Sequence, residues 1–312
     1  MADAIEVENL TKMYDGFLAL DNVSFSVSRG DIVGYLGPNG AGKTTTIKLL
    51  VNLLKPTSGS AYILGVDVTR EPKEALRNVG CLIEVPGVYD FLTPQELLTY
   101  IGKVHGMRGG LDDRIGEVLE LTNIAEWRHK KIGSFSTGML RRLIISVAIF
   151  HDPEILILDE PVIGLDPQGI MEVRELIKSL GKRGMTIFLS SHLLQEVAEV
   201  CNTVLFLNRG RLVAQEKVAD ILGKMKSRVV RLSFLTPPSE AQIARIRDLP
   251  GVEDLEVSGL EGRMTFDGRP ETSATILEAM VGAGMKITSY VPETMDLEDF
   301  YVQVMKEEED AG

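Results

Sequence analysis

Ile32-Val33-Gly34-Tyr35-Leu36-Gly37-Pro38-Asn39-Gly40-Ala41-Gly42-Lys43-Thr44 runs an apolar segment into a glycine-rich loop that ends in a lysine–threonine pair. Its first five residues read as a short buried strand. The pattern GxxxxGK followed by Ser or Thr is met at Gly37, Gly42, Lys43 and Thr44, and chance would place it in roughly one chain in a hundred of this length. Beyond it, Ile47, Leu50, Leu53 and Leu54 recur at helical spacing until Pro56-Thr57-Ser58-Gly59. Strand, loop and helix in that order form a phosphate cradle. Glycines let backbone N–H groups close around phosphate oxygens, and the helix N-terminus adds a favourable dipole. Lys43 is placed to reach the β- and γ-phosphates of ATP, and the Thr44 hydroxyl to ligate Mg²⁺. Pro38, Asn39, Gly40, Ala41 and Thr45 complete the expected nucleotide contacts.

Outward from this loop the chain changes character several times. Residues 5 to 36 read as strands, with Val23, Phe25 and Val27 alternating with Ser24, Ser26 and Ser28. Residues 78 to 84 read as a further strand ending at Glu84. From about 85 to 150 the pattern is helical. Thr93-Pro94-Gln95-Glu96 is a capping box with proline at the first helical position. Asp112 to Leu121 is a second helix, and Ser136 introduces a third with Leu140, Leu143, Ile144, Val147 and Ala148 at helical spacing. Strand and helix then alternate: Ile155–Leu158, Gln168–Lys182, Met185–Leu189, Leu193–Val200 and Thr203–Leu207. A smaller unit begins near Lys226. Its strands are expected at Val229–Phe234, Val252–Val257, Arg263–Asp267 and Lys286–Val291, its helices at Ser239–Asp248 and Thr272–Ala283. The order β-α-β-β-α-β suggests a ferredoxin-like sandwich, followed by a last helix at about Leu297–Lys306.

Ile155-Leu156-Ile157-Leu158-Asp159-Glu160 ends a continuous apolar run in two carboxylates. A run of this kind suits a central parallel strand. At a strand's C-terminal edge, Asp159 is placed for the Mg²⁺ shell and Glu160 for activating the water that attacks the γ-phosphate. An acidic turn after a strand is the plainer reading of the pair taken alone.

With these motifs in order, residues 1 to about 222 resemble the ATP-binding subunit of an ABC transporter. The resemblance implies an α/β fold: a P-loop core with an antiparallel β subdomain and an inserted helical subdomain at about 85–150. It divides the chain into residues 1–225, the ATP-binding domain, and 226–312, a small α+β accessory domain. It also implies further roles. Tyr14 lies where the family stacks an aromatic on adenine. Phe135-Ser136-Thr137-Gly138-Met139 occupies the signature position, so Ser136 and Gly138 are expected to meet the γ-phosphate held by a second subunit. Leu165-Asp166 matches the dimer-contact loop, and Asp166 also reads as a helix N-cap before Pro167. His192 matches the switch histidine that touches the γ-phosphate, completing a catalytic set with Lys43 and Glu160. The chain departs from the family twice. Glu84 stands where a glutamine usually senses Mg²⁺ and faces the transporter, and Thr137 and Met139 replace a glycine and a glutamine. Such looser signatures are similar to those of exporter subunits for drugs and antibiotics. The second unit, with an ending like Leu297-Glu298-Asp299-Phe300, resembles an accessory domain of those subunits, which reads as a dimer-supporting or regulatory domain, with ligand sensing as the sharper alternative.

Composition sets the outer limits. The chain has 312 residues, 44% of them hydrophobic and 25% charged, with a net charge of −12. That length suits a large domain plus a smaller one, and the acidic balance argues against a nucleic-acid partner. Cys81 and Cys201 form no CxxC pair and read as buried reduced thiols. No apolar stretch reaches the roughly 20 residues a spanning helix needs, and the acidic start Met1–Glu6 has no signal-peptide form. Within these limits, the resemblance implies a homodimer in the cytoplasm, peripheral on the inner face of the cell membrane, driving a separately encoded integral-membrane permease. Two other classes stay in view. A soluble ABC-type ATPase acting on ribosomes or nucleic acid usually carries two cassettes or a coiled-coil insertion, and this chain has neither. A non-catalytic nucleotide-dependent regulator is suggested by the altered signature and opposed by Lys43, Asp159, Glu160 and His192.

Overall fold

The computed structural model describes residues 3–84, 87–224 and 229–293. They divide into two units, the first running to Val218 and the second starting at Ala219. The first unit begins with strands β1 (Ile5–Tyr14), β2 (Phe17–Val27) and β3 (Ile32–Leu36). Helix α1 (Lys43–Leu50), β4 (Ser58–Ile63), the two-residue β5 (Val66–Asp67), the single turn α2 (Pro72–Ala75) and β6 (Val79–Leu82) follow. Next come three helices, α3 (Pro94–Val104), α4 (Leu111–Leu121) and α5 (Thr137–Ile149). The unit ends through β7 (Ile155–Leu158), α6 (Pro167–Lys182), β8 (Thr186–Ser191), α7 (Leu194–Val200), β9 (Thr203–Asn208) and β10 (Arg211–Lys217).

Two sheets carry this unit. An antiparallel sheet has the order β2-β1-β4-β5, and a six-stranded sheet the order β10-β9-β3-β8-β7-β6. In the larger sheet β9, β3, β8, β7 and β6 are parallel, and β10 is antiparallel to β9. The central strands are covered on both faces: all four residues of β7, each apolar, and all six of β8, with Ile187, Phe188 and Leu189 at its middle, are buried. One core joins both sheets and α1. Phe25 of the antiparallel sheet stacks on Phe188 of the parallel sheet at 5.6 Å between ring centroids, with Tyr35 5.3 Å from Phe188. Aromatic pairs of this kind contribute about 0.5–1.5 kcal/mol beyond the area they bury.

The helices α3, α4 and α5 lie in the chain between β6 and β7, as a helical insertion requires. The expected capping box is present. Thr93 Oγ1 accepts from Glu96 N–H, and the Glu96 carboxylate accepts from Thr93 N–H at 2.8 Å. α5 carries its apolar residues inward, and also two buried arginines, Arg141 and Arg142.

Four features differ from the sequence reading. α1 stops at Leu50 although the apolar spacing runs on to Leu54; Asn52 takes a left-handed φ of 56° and Leu53 is exposed. The stretch read as a helix stop, Ser58-Gly59, already belongs to β4, where a Cβ on Gly59 would come within 2.2 Å of Asn9 O. Cys81 is exposed, whereas Cys201 is buried as expected. The division after Val218 also precedes residue 225, so α8 (Val218–Lys224), apart from its first residue, goes with the second unit.

The second unit continues with β11 (Val229–Phe234), α9 (Glu240–Arg247), β12 (Val252–Ser258), β13 (Glu261–Phe266), α10 (Pro270–Gly282) and β14 (Ile287–Glu293). From β11 on, the order is β-α-β-β-α-β. The strands form an antiparallel sheet ordered β12-β13-β11-β14. Val230, Leu232, Leu255, Met264, Ile276 and Met280 build its core. The expected helix at Leu297–Lys306, the ending Leu297–Phe300 and the acidic run Glu307–Asp310 lie outside the described residues.

Candidate active site

The glycine-rich loop leaves the C-terminal end of β3 and closes on the first turn of α1. Gly37 and Ala41 are buried at its shoulders, and Pro38, Asn39 and Gly40 form the exposed tip. Ala41 N–H donates to Pro38 O at 3.1 Å, tightening the tip. Gly42 is the N-cap of α1 with φ 112°, and a Cβ there would meet Leu20 Cδ2 at 2.7 Å. Only glycine combines that backbone with that closeness. No side chain caps α1, so its first N–H groups face the loop's interior.

Lys43 points back into the loop and is buried. Its ammonium donates to Gly37 O at 2.6 Å and Pro38 O at 3.2 Å, and pairs with Glu160 Oε1 at 3.3 Å. A buried ammonium needs partners of this kind to offset its lost hydration. Thr44 donates its hydroxyl to Asp159 Oδ2 at 2.8 Å. Thr45 is half-buried in the same first turn. Thr46 is buried, its hydroxyl 3.1 Å from that of Tyr35.

Parallel pairing brings the acidic pair to this loop. β7 lies beside β8 in the register Leu158↔Leu189, so the residues that follow both strands meet. Ser190 joins them. Its hydroxyl donates to Asp159 Oδ1 at 2.6 Å and accepts from Glu160 N–H at 2.9 Å. Glu160 sits at a left-handed φ of 45°, a conformation that costs a non-glycine residue about 1–3 kcal/mol and clusters at functional sites. Glu160 Oε2 lies 2.9 Å from His192 Nδ1. A carboxylate partner requires Nδ1 to carry the proton, which leaves Nε2 for another group. Lys43, Thr44, Asp159, Glu160, Ser190 and His192 therefore form one connected polar network at the C-terminal ends of the parallel strands. Sequence reading missed Ser190 as a member. Its one signal was a hydroxyl at the end of an apolar run, and its meaning depends on a strand pairing that a single chain does not reveal.

The other expected residues lie apart from this network. Tyr14 is part-exposed at the β1–β2 turn, with Lys12 Nζ 5.0 Å from its ring centroid and held by Lys55 O at 2.8 Å. Glu84 takes a left-handed φ of 57° beyond β6 and pairs with Lys48 Nζ at 2.6 Å. Ser136 caps α5 by accepting from Met139 N–H at 3.2 Å, and Asp166 caps α6 by accepting from Gly169 N–H at 2.9 Å. These two helix starts touch: a Cβ on Gly138 would lie 3.6 Å from Gly169 Cα. Arg141 Nη2 donates to Ile163 O at 3.2 Å, and Arg142 Nη2 pairs with Glu172 at 3.1 Å. α5 is thereby tied both to α6 and to the loop after Glu160.

Residues 20–163 match a family model described as ABC transporter, and residues 131–198 one described as AAA domain, putative AbiEii toxin of a type IV toxin–antitoxin system. The chain is 37% identical to the bacitracin transport ATP-binding protein BcrA of Bacillus licheniformis over 98% of both chains. It is 33% identical to the daunorubicin/doxorubicin resistance ATP-binding protein DrrA of Streptomyces peucetius, covering 78% of this chain and 74% of that one. A solved ATP-binding subunit of an ABC transporter is 30% identical with a TM-score of 0.63, over 71% of this chain and 92% of its own. An ABC transporter cassette in its ADP conformation is 25% identical with a TM-score of 0.64, over 72% of this chain and 97% of its own.

Proposed function

The chain belongs to the ATP-binding proteins of ABC transporters, and on that premise we propose that two copies close head to tail around two ATP molecules to drive a membrane permease. The observation that carries this reading is the single network linking the loop lysine, both strand-end carboxylates and His192. ATP enters with its phosphates over the α1 N-terminus and the loop N–H groups. Lys43 exchanges the Gly37 and Pro38 carbonyls for β- and γ-phosphate oxygens.

The residues present fit a magnesium ion. Thr44 Oγ1 and Asp159 Oδ2 are hard oxygens 2.8 Å apart, close to the separation of about 2.9 Å between neighbouring ligands of an octahedron with bonds near 2.1 Å. Among the described residues no group of three or more His, Cys, Asp or Glu side chains gathers as a metal cluster. A magnesium site that takes most of its oxygens from phosphate and water needs none. When bound, the ion neutralises charge that builds on the β- and γ-phosphates.

Glu160 then orients a water in line with the bond to the β-phosphate and accepts its proton. The water oxygen bonds to the γ-phosphorus, that bond breaks, and ADP and phosphate leave. His192 holds Glu160 through Nδ1–H and turns Nε2 to the γ-phosphate, a contact that requires Nε2 to carry a proton as well. Ser136 and Gly138 of the second copy close the far side of the phosphate, with Asp166 at the seam. Tyr14 stacks on the base.

Among the described residues no helix is long and apolar enough to cross a membrane, so the work passes to a separate integral-membrane partner, and the chain sits against the inner face of the cell membrane. The surface beside Glu84 and the inserted helices is the docking site; Tyr89, Phe91 and Tyr100 are exposed there. The likeness to bacitracin transport and daunorubicin/doxorubicin resistance proteins supports a partner of the export type. The second unit supports the dimer.

Glu160→Gln tests the assignment of the base. It keeps shape and loses the proton acceptor, so turnover should fall by about 10²–10⁴-fold while ATP binding persists and a nucleotide-bound dimer accumulates on gel filtration. Turnover at the unmodified rate would refute it.

A further inference from the structure

Lys48 has no part in the mechanism above, yet it stands beside the metal corner. It follows Thr44 by four residues on α1, which places both on one face, about 6 Å apart along the helix. Its ammonium meets Glu84 Oε1 at 2.6 Å. The strand ends that carry Glu84 and Asp159 are neighbours, because Asp159 N–H donates to Leu82 O at 2.8 Å. The hydrogen bond that Lys48 donates to Glu84 holds its ammonium above the usual lysine range; burial opposes this, and the charges of Glu84 and Asp159 add to it. Asp159 thus follows the strand neighbouring the one that leads to Glu84, and the Lys48 ammonium is paired with Glu84 within reach of the Asp159 charge.

We propose that Lys48 is a positioning residue that neutralises Glu84 and keeps its carboxylate out of the metal shell, so that the pair sets how tightly the Thr44–Asp159 corner holds its divalent ion. The inference rests on the reading of that corner as a metal site. Without Lys48, the Glu84 carboxylate stands free to face the ion. Without the Glu84 charge, Lys48 repels the ion. With both neutral, the corner returns to its original net charge. One unit charge about 10 Å from a divalent ion in a water-like dielectric changes affinity roughly fourfold, and added salt weakens the effect. As an exposed pair it adds little to folding stability, so these variants should fold.

The test uses the full chain, a non-hydrolysable ATP analogue and Mn²⁺ as the probe, with free Mn²⁺ read by electron paramagnetic resonance. Lys48→Met should tighten Mn²⁺ about fourfold, and Glu84→Gln should weaken it by a similar factor. The double variant should return to within twofold of the parent, and both single effects should shrink in 0.5 M KCl. Single changes of the same sign, a double variant that departs from the parent by more than twofold, or no change at all would overturn the inference. Asp159→Asn separates the two levels. If it abolishes Mn²⁺ binding while the cycle stays flat, only the role of Lys48 fails. If Mn²⁺ binds undiminished, the metal corner itself is misplaced and this inference falls with it.

Discussion

Ser190 gives the sharpest test at the scale of one residue. Its hydroxyl joins Asp159 to the Glu160 backbone and is buried. Ser190→Ala leaves one carboxylate oxygen and one N–H without this partner, a loss of about 1–3 kcal/mol. Both acidic groups lose their common anchor, so kcat should fall at least tenfold while KM for ATP changes less. Steady-state kinetics with a thermal melt checks both halves of that expectation. The same residue shows where sequence reading stops. Lys43, Thr44, Asp159 and Glu160 were legible because each belongs to a short pattern whose chemistry is local; His192 was legible only through the family resemblance, since a histidine after a strand carries no chemistry by itself. Ser190 was not, because its role comes from the alignment of β7 with β8, a non-local fact. Glu84 was legible as a departure, but its partner Lys48 was not, since two surface charges thirty-six positions apart leave no mark on each other's surroundings in the chain.

At the scale of elements, the starts of α5 and α6 behave as a pair. Ser136 and Asp166 each cap a helix, and Gly138 packs against Gly169. The caps explain these residues by stability alone, so the dimer role needs a substitution that keeps the cap. Asp166→Ser retains a good N-cap, whereas Asp166→Ala removes it at about 1 kcal/mol. If Asp166 also works at the seam between copies, the serine variant should melt like the parent and still lose turnover severalfold. If capping is its whole role, the serine variant should be as active as the parent and the alanine variant less stable. Element boundaries show what local patterns miss. The capped start of α3 was readable from Thr93-Pro94-Gln95-Glu96 because its signals are adjacent in sequence. The end of α1 was not, because the apolar spacing continues to Leu54 while the backbone has already turned left-handed at Asn52; Leu54 is apolar to pack on the core as part of a turn.

At the scale of the whole molecule, a composite site predicts complementation. A Lys43→Ala chain lacks a working phosphate loop, and a Ser136→Glu chain lacks a working signature helix; neither homodimer has an intact site. In a mixed dimer, the loop of the second chain faces the signature of the first, and one complete site forms. An equimolar mixture should therefore recover about one quarter of the parent's turnover per chain, by the combinatorics of random pairing. A mixture as inactive as its components would mean that each chain works alone or not at all. The layered α/β architecture was legible from alternating apolar periods. The six-strand order was not, because β3, between β8 and β9, finds its neighbours far along the chain. One smaller feature reaches beyond the protein. The Lys12 ammonium lies over the Tyr14 ring and is anchored by Lys55 O, which leaves one aromatic surface for a base. A π-surface takes purines and pyrimidines alike and reads no Watson–Crick edge. With Tyr14 stacked on the base as proposed, choice among nucleoside triphosphates falls to their relative abundance in the cell, and turnover follows whichever of them is most plentiful.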